Sequence, residues 1–152
     1  MKIINATLTN NYVGPLIQPS AGASAVVTID RSGLDCNISA GVQDDGTAGG
    51  TVTTVVTDSS LGENGDGLIA VSGPGNATVN LMRDVFTQNT ASGVVSNRSG
   101  GGTATVTVGS SEISGNATGV QSLGSGVLLS YRNNQLTQNG SNGSFTGSAA
   151  LE

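Results

Sequence analysis

The chain has no histidine, no tryptophan and a single cysteine among its 152 residues, and each shortage removes a class of chemistry. Without histidine, the common zinc sites and the His-dependent nucleophilic sites are excluded. The lone thiol, Cys36, cannot close an internal disulfide, and without a His partner it reads as an inert thiol at a turn. One lysine, Lys2, and four arginines, Arg31, Arg83, Arg98 and Arg132, stand against ten acids, for a formal charge of −5. No basic stripe exists to follow a phosphate backbone, so nucleic acid is not an expected partner. No apolar run reaches the length that crosses a bilayer, so membrane insertion is not expected either. Met1 leads into a strand-like pattern rather than a charged segment and an apolar leader. With only four aromatics, Tyr12, Phe86, Tyr131 and Phe145, the core has to come from Val, Ile, Leu and Ala.

What the chain has instead is repetition. Six times an apolar residue is followed three positions later by asparagine, with a glycine three or four positions beyond. The apolar members are Leu8, Leu34, Leu61, Phe86, Ile113 and Leu136, and the asparagines are Asn11, Asn37, Asn64, Asn89, Asn116 and Asn139. Successive asparagines lie 26, 27, 25, 27 and 23 residues apart, a period that marks a solenoid with one supersecondary unit per repeat. The 24 glycines, with much Ser, Thr, Asn and Val, favour strands and turns over helices.

Two more columns sharpen the unit. Seven positions before the apolar residue stand Val27, Thr54, Val79, Val106 and Leu129, and five before it Ile3, Ile29, Val56, Leu81, Val108 and Tyr131. A period of two places both columns on one face of a strand, which faces the interior. Each coil is therefore read as a first strand, a polar turn, a short second strand carrying the Leu/Ile/Phe column, a corner held by asparagine, and a third strand entered at Val42, Leu68, Val94 or Val120. Asparagine suits such a corner because it tolerates left-handed backbone angles and can bond to its counterpart in the next coil. Segments 44–50, 72–76, 97–102 and 122–126 are read as loops on one flank.

The expected fold is all-β: a right-handed, single-stranded parallel β-helix of about six coils, with three short strands per coil and an Asn ladder at one corner. Residues 1–148 form one such domain, read as a fragment of a longer β-helix. Residues 149–152 are read as a tail whose final Leu151-Glu152 looks like a cloning remnant.

The repeats "VTVGSSEISGNATGVQSLGSG" and "LLSYRNNQLTQNGSNGSFTG" resemble the bacterial right-handed β-helix repeat proteins of the pectin-lyase-like superfamily. The resemblance covers nearly the whole chain and implies a fold; it does not imply one activity, because that superfamily spans lyases, hydrolases, epimerases, tailspikes and adhesins. It also directs attention to clustered carboxylates, which its polysaccharide-cleaving members use as acid pairs or as calcium ligands beside a basic residue. The nearest match is the turn after the first strand, where Asp30, Asp58 and Asp84 fall in consecutive coils. There Arg31, Asp58 and Arg83 share one column, and their alternating signs suggest an ion-pair ladder with a lesser claim to sugar binding. A calcium site built from Asp44, Asp45, Glu63 and Asp66 is a weaker alternative; no other cofactor is expected. An ice-binding face would need Thr-x-Thr in every coil. The outward pairs read from the sequence, Val26/Thr28, Thr53/Val55, Thr78/Asn80, Thr105/Thr107 and Leu128/Ser130, are too irregular for it.

The functional expectation is a non-catalytic module of a secreted or cell-surface protein with a polysaccharide as partner. The alternative is part of a polysaccharide lyase or hydrolase. Self-association is expected through the first coil, whose strand edge has nothing before it to pair with.

Overall fold

A computed structural model describes residues 1–150. The final Leu151-Glu152 lies outside the described residues. Every strand-to-strand pairing is parallel, and each strand bonds to its counterpart about one repeat away. Three sheets run along the stack. The first contains β1 (Lys2–Ile4), β3 (Ser24–Asp30), β5 (Thr51–Thr57), β7 (Ala77–Met82), β10 (Ala104–Gly109), β13 (Val127–Ser130) and β16 (Gly147–Ser148). The second contains β8 (Val85–Thr87), β11 (Glu112–Ser114) and β14 (Gln135–Thr137). The third contains β2 (Leu16–Ile17), β4 (Ala40–Asp45), β6 (Asp66–Ser72), β9 (Ser92–Arg98), β12 (Thr118–Leu123) and β15 (Ser141–Gly143). The chain is thus a parallel β-solenoid.

The strands form where β-branched residues alternate with small polar ones, as in Thr51–Thr57, whose burial alternates along its length. Their inward side chains stack into columns. Ile29, Val56, Leu81 and Val108 are in register across β3, β5, β7 and β10, and Val42, Leu68, Val94 and Val120 across β4, β6, β9 and β12. Leu34, Leu61, Phe86 and Ile113 close the third side, all fully buried. Each such residue contributes about 1.5–3 kcal/mol by leaving water, which is how a chain with few aromatics builds its core. Phe145 packs over the far end.

Three sequence expectations need correction. In the first three coils the second strand shrinks to single bridges at Thr7, Gly33 and Ser60; only β8, β11 and β14 are long enough to count as strands. The last coil is offset by one residue. Leu128 and Ser130, not Leu129 and Tyr131, pair with Val106 and Val108, so Val127 and Leu129 take the outward positions. An extra turn residue between β13 and β14, in a repeat of only 23 residues, explains the shift. None of the four flank segments is wholly loop: Asp44 and Asp45 end β4, Ser72 ends β6, Asn97 and Arg98 end β9, and Ser122 and Leu123 end β12.

The corners also differ from expectation. The left-handed residue is not the ladder asparagine but the one before it: Asn10, Cys36, Glu63, Gln88 and Gln138 have φ between 55° and 61°. The residue at positive φ turns its side chain outward. The asparagine that follows can then point in. A second left-handed column, Asn5, Arg31, Asp58, Arg83, Ser110 and Arg132, turns the chain after the first sheet. Left-handed non-glycine residues cost of order 1 kcal/mol each, and here they recur at both corners. The strain therefore belongs to the coil geometry and is no mark of a site by itself.

Candidate functional site

Inside the second corner the asparagines bond as a continuous column. Asn37 donates Nδ2 to Asn64 Oδ1 at 3.1 Å, Asn89 to Asn116 at 2.8 Å and Asn116 to Asn139 at 3.0 Å. From Asn37 on, each Oδ1 accepts the backbone N–H of the asparagine one coil earlier, and between Asn64 and Asn89 that bond, at 2.9 Å, carries the column without a side-chain rung. Each Nδ2 reaches the carbonyl of the preceding coil's apolar residue, Asn89 to Leu61 at 3.0 Å. A buried asparagine so bonded leaves no polar atom unmet.

The first corner holds a parallel column that the sequence reading missed. Ser32, Ser59, Asp84, Ser111 and Asn134 stand two positions before the apolar residue, and each accepts the backbone N–H of its counterpart one coil earlier. Ser32, Ser59 and Ser111 return a hydroxyl hydrogen bond to the carbonyl two residues back. Asp84 instead accepts Met82 N–H at 2.9 Å on Oδ2 and Ser59 N–H at 3.0 Å on Oδ1. Burial pushes its carboxyl up to about 7, with the backbone donors opposing the rise and the nearby Asp58 charge adding to it. The sequence signal for this column was the recurrent polar residue at that offset.

The three candidate acids therefore occupy three different columns, each already bonded. Asp30 ends β3, where its Oδ2 lies 2.7 Å from Arg31 Nη1 and its Oδ1 accepts Thr57 Oγ1. Asp58 sits on the exposed corner. Arg83, one coil on, grips it with Nε and Nη2, both at 2.8 Å. That hydrogen-bonded guanidinium holds the Asp58 carboxyl below its ordinary range. Asp84 is buried. Of the expected Arg31–Asp58–Arg83 ladder, one rung forms, because Arg31 turns away to Asp30 and to Asn5 Oδ1 at 3.1 Å.

Outside this corner runs an open groove. Its floor is the column Gly33, Ser60, Val85, Glu112 and Gln135, in register from coil to coil. Its wall is the left-handed column with Arg31, Asp58 and Arg83. One stretch of about 470 Å³ lies over Gly33 and Ser60, and a second of about 270 Å³ continues past Glu112 and Gln135, with Arg83 and Val85 common to both.

The acids weighed for calcium do not converge. Asp44 is buried, Asp45 accepts from Gln18 and Thr47, Asp66 accepts the N–H of Ser92, and Glu63 lies 3.5 Å from Cys36 Sγ. Among the described residues no group of three or more His, Cys, Asp or Glu side chains is placed to hold a metal ion. Cys36 itself is exposed, and loss of solvation together with the Glu63 carboxylate raises its thiol. That is the opposite of an activated nucleophile.

No known family model, curated protein or solved structure matches this chain.

Proposed function

We propose that the chain is a non-catalytic module that binds a carbohydrate along the corner groove, within a bacterial secreted or cell-surface protein. The observation that carries this reading is the groove itself: a small-residue floor at Gly33 and Ser60, several coils long, flanked by Arg31, Asp58 and Arg83. Arginine–carboxylate pairs at a partly exposed rim offer both donors and acceptors to sugar hydroxyls. Arg31 and Arg83 are opposed by Asp30, Asp58 and Glu112, so a neutral glycan fits better than a uronate chain. We also infer the right-handed winding of the pectin-lyase-like superfamily, on the resemblance of the repeats to it.

The lyase or hydrolase alternative needs a carboxyl free to exchange a proton with substrate. Asp84 is the one candidate with a raised pKa, but both its oxygens already accept backbone N–H groups. Glycan-array binding followed by calorimetry tests the proposal. Arg83→Ala and Arg31→Ala should weaken binding to a neutral glycan while leaving the fold intact; equal binding by both variants and the parent would refute the groove.

Self-association through the first coil is part of the same reading. β1 pairs with Thr28, Ile29 and Asp30 of β3, and the Met1 ammonium donates to the Val26 carbonyl at 2.7 Å; the outer edge ahead of that bond, around Ser24, is where another strand would pair.

A further inference from the structure

Asp44 was expected in a loop and lies instead in the interior of the solenoid. It is fully buried, and among the described residues neither of its oxygens has a hydrogen-bond partner. Its ladder neighbours are Ile17 on one side and Ala70 on the other. The Thr54 hydroxyl of β5 is near enough to favour the anion but makes no well-formed hydrogen bond, and it too is buried and unpaired. None of these three neighbours is titratable or charged. On its own strand Asp45 is engaged elsewhere, by Gln18, Gln43 and Thr47. An ionised carboxylate in this place would have no counter-charge and only the Thr54 hydroxyl to draw on, a state that proteins avoid by keeping the proton or by letting water in.

The shortest way for water lies through the first coil. That coil is thin: β1 has three residues and β2 two, and Ile17 is its one fully committed core residue, with Ile3 and Leu8 only partly buried. Beyond it is an open apolar mouth of about 400 Å³ whose floor includes Ile17 and Val27. These two residues stand directly over Asp44 and Thr54 in register. One layer of side chains therefore separates the unpaired carboxyl from solvent.

We propose that residues 1–17 form a pH-gated cap, seated on the second coil while Asp44 holds its proton and loosening when that proton is lost to solvent. Loosening would bare the inner edges of β3 and β4. Burial raises the Asp44 carboxyl from 3.8 to about 7 in the seated state. With the cap lifted, the hydrated carboxyl returns toward its ordinary value. Opening therefore releases a proton at any pH between about 4 and 7, becomes more favourable across that window, and levels off above it.

Hydrogen–deuterium exchange on the whole chain from pH 4 to 8, corrected for the intrinsic pH dependence of amide exchange, reads this directly. The N–H groups of Leu8, Asn10 and Gly14 bond to Gly33, Cys36 and Ala40 of the second coil and report the cap. Their protection should fall by up to about tenfold per pH unit as pH rises to about 7, while the N–H groups of Asn64 and Asn89 change less. Asp44→Asn should flatten the profile. Asp44→Ala, which places the residue of the next coil's Ala70 at this position, should do the same and decides the matter if Asp44→Asn does not fold. A flat profile in the parent, the same fall in the variants, or an equal fall at Asn64 and Asn89 would each overturn the proposal.

Discussion

Arg83 closes a two-pronged hydrogen bond on Asp58 across one coil, Nε to Oδ1 and Nη2 to Oδ2, both at 2.8 Å, from neighbouring places in the left-handed corner column. The pair rigidifies the rim of the groove. Because it is open to water, it adds little to stability. Its consequence is positional: the guanidinium is held in place at the rim, where Arg83 lines both stretches of the groove. Arg83→Ala should therefore leave the melting temperature nearly unchanged while weakening glycan binding. A large drop in melting temperature would make the pair structural instead.

The asparagine column carries stability where the ion pair does not. Asn89→Ala removes bonds to Leu61 O and Asn116 Oδ1 and orphans the Asn64 N–H, all buried, for a loss of about 1–3 kcal/mol. Asn11→Ala, at an exposed end with one side-chain bond into the column at 3.3 Å, should cost less. Urea denaturation of the two variants compares them; equal midpoints would contradict the ladder.

The repeat and its inward columns were legible in the sequence because a 26-residue rhythm of Leu-x-x-Asn has few physical solutions. What was not legible depended on single-residue registration. Asn133 and Asn134 look interchangeable in sequence, yet only Asn134 reaches Ser111 N–H and Val108 O, which shifts the last coil. Asp44 looked like a loop acid because a carboxylate inside an apolar lumen contradicts the rule for cores. Serines 32, 59 and 111 looked like ordinary turn residues, since a polar column shows itself only once the coils are stacked. For the groove, the sequence offered the charges of Arg31, Asp58 and Arg83 but not which of them pair.

Stability should decline from acid toward neutral pH. Asp84 is raised from 3.8 to about 7 in the fold, so between those values the folded chain holds a proton that the unfolded chain has lost. Stability then falls as pH rises, at most about 1.4 kcal/mol per pH unit for each such acid, and levels off above about 7. Asp44 acts in the same direction. Asp84→Ser, which restores the serine of the neighbouring coils, should reduce the slope. Chemical denaturation at pH 4.5 and pH 7.5 measures it, and a parent more stable at the higher pH would contradict the assignment.

The outer edge of β3 around Ser24, ahead of the Met1–Val26 bond, should pair between molecules. Light scattering over a wide concentration range is expected to show a concentration-dependent dimer, reduced by Val26→Pro, which places a residue without an N–H on that edge. A monomer at every concentration would contradict it.

The most direct test of the non-catalytic module is to incubate the chain with neutral glycans, pectate and alginate, with and without calcium, and to follow unsaturated and reducing ends alongside binding. The expected result is binding to a neutral glycan with no release of chain ends. Release that disappears in Asp58→Asn or Asp84→Asn would show that these carboxyls act on substrate and that the chain is an enzyme.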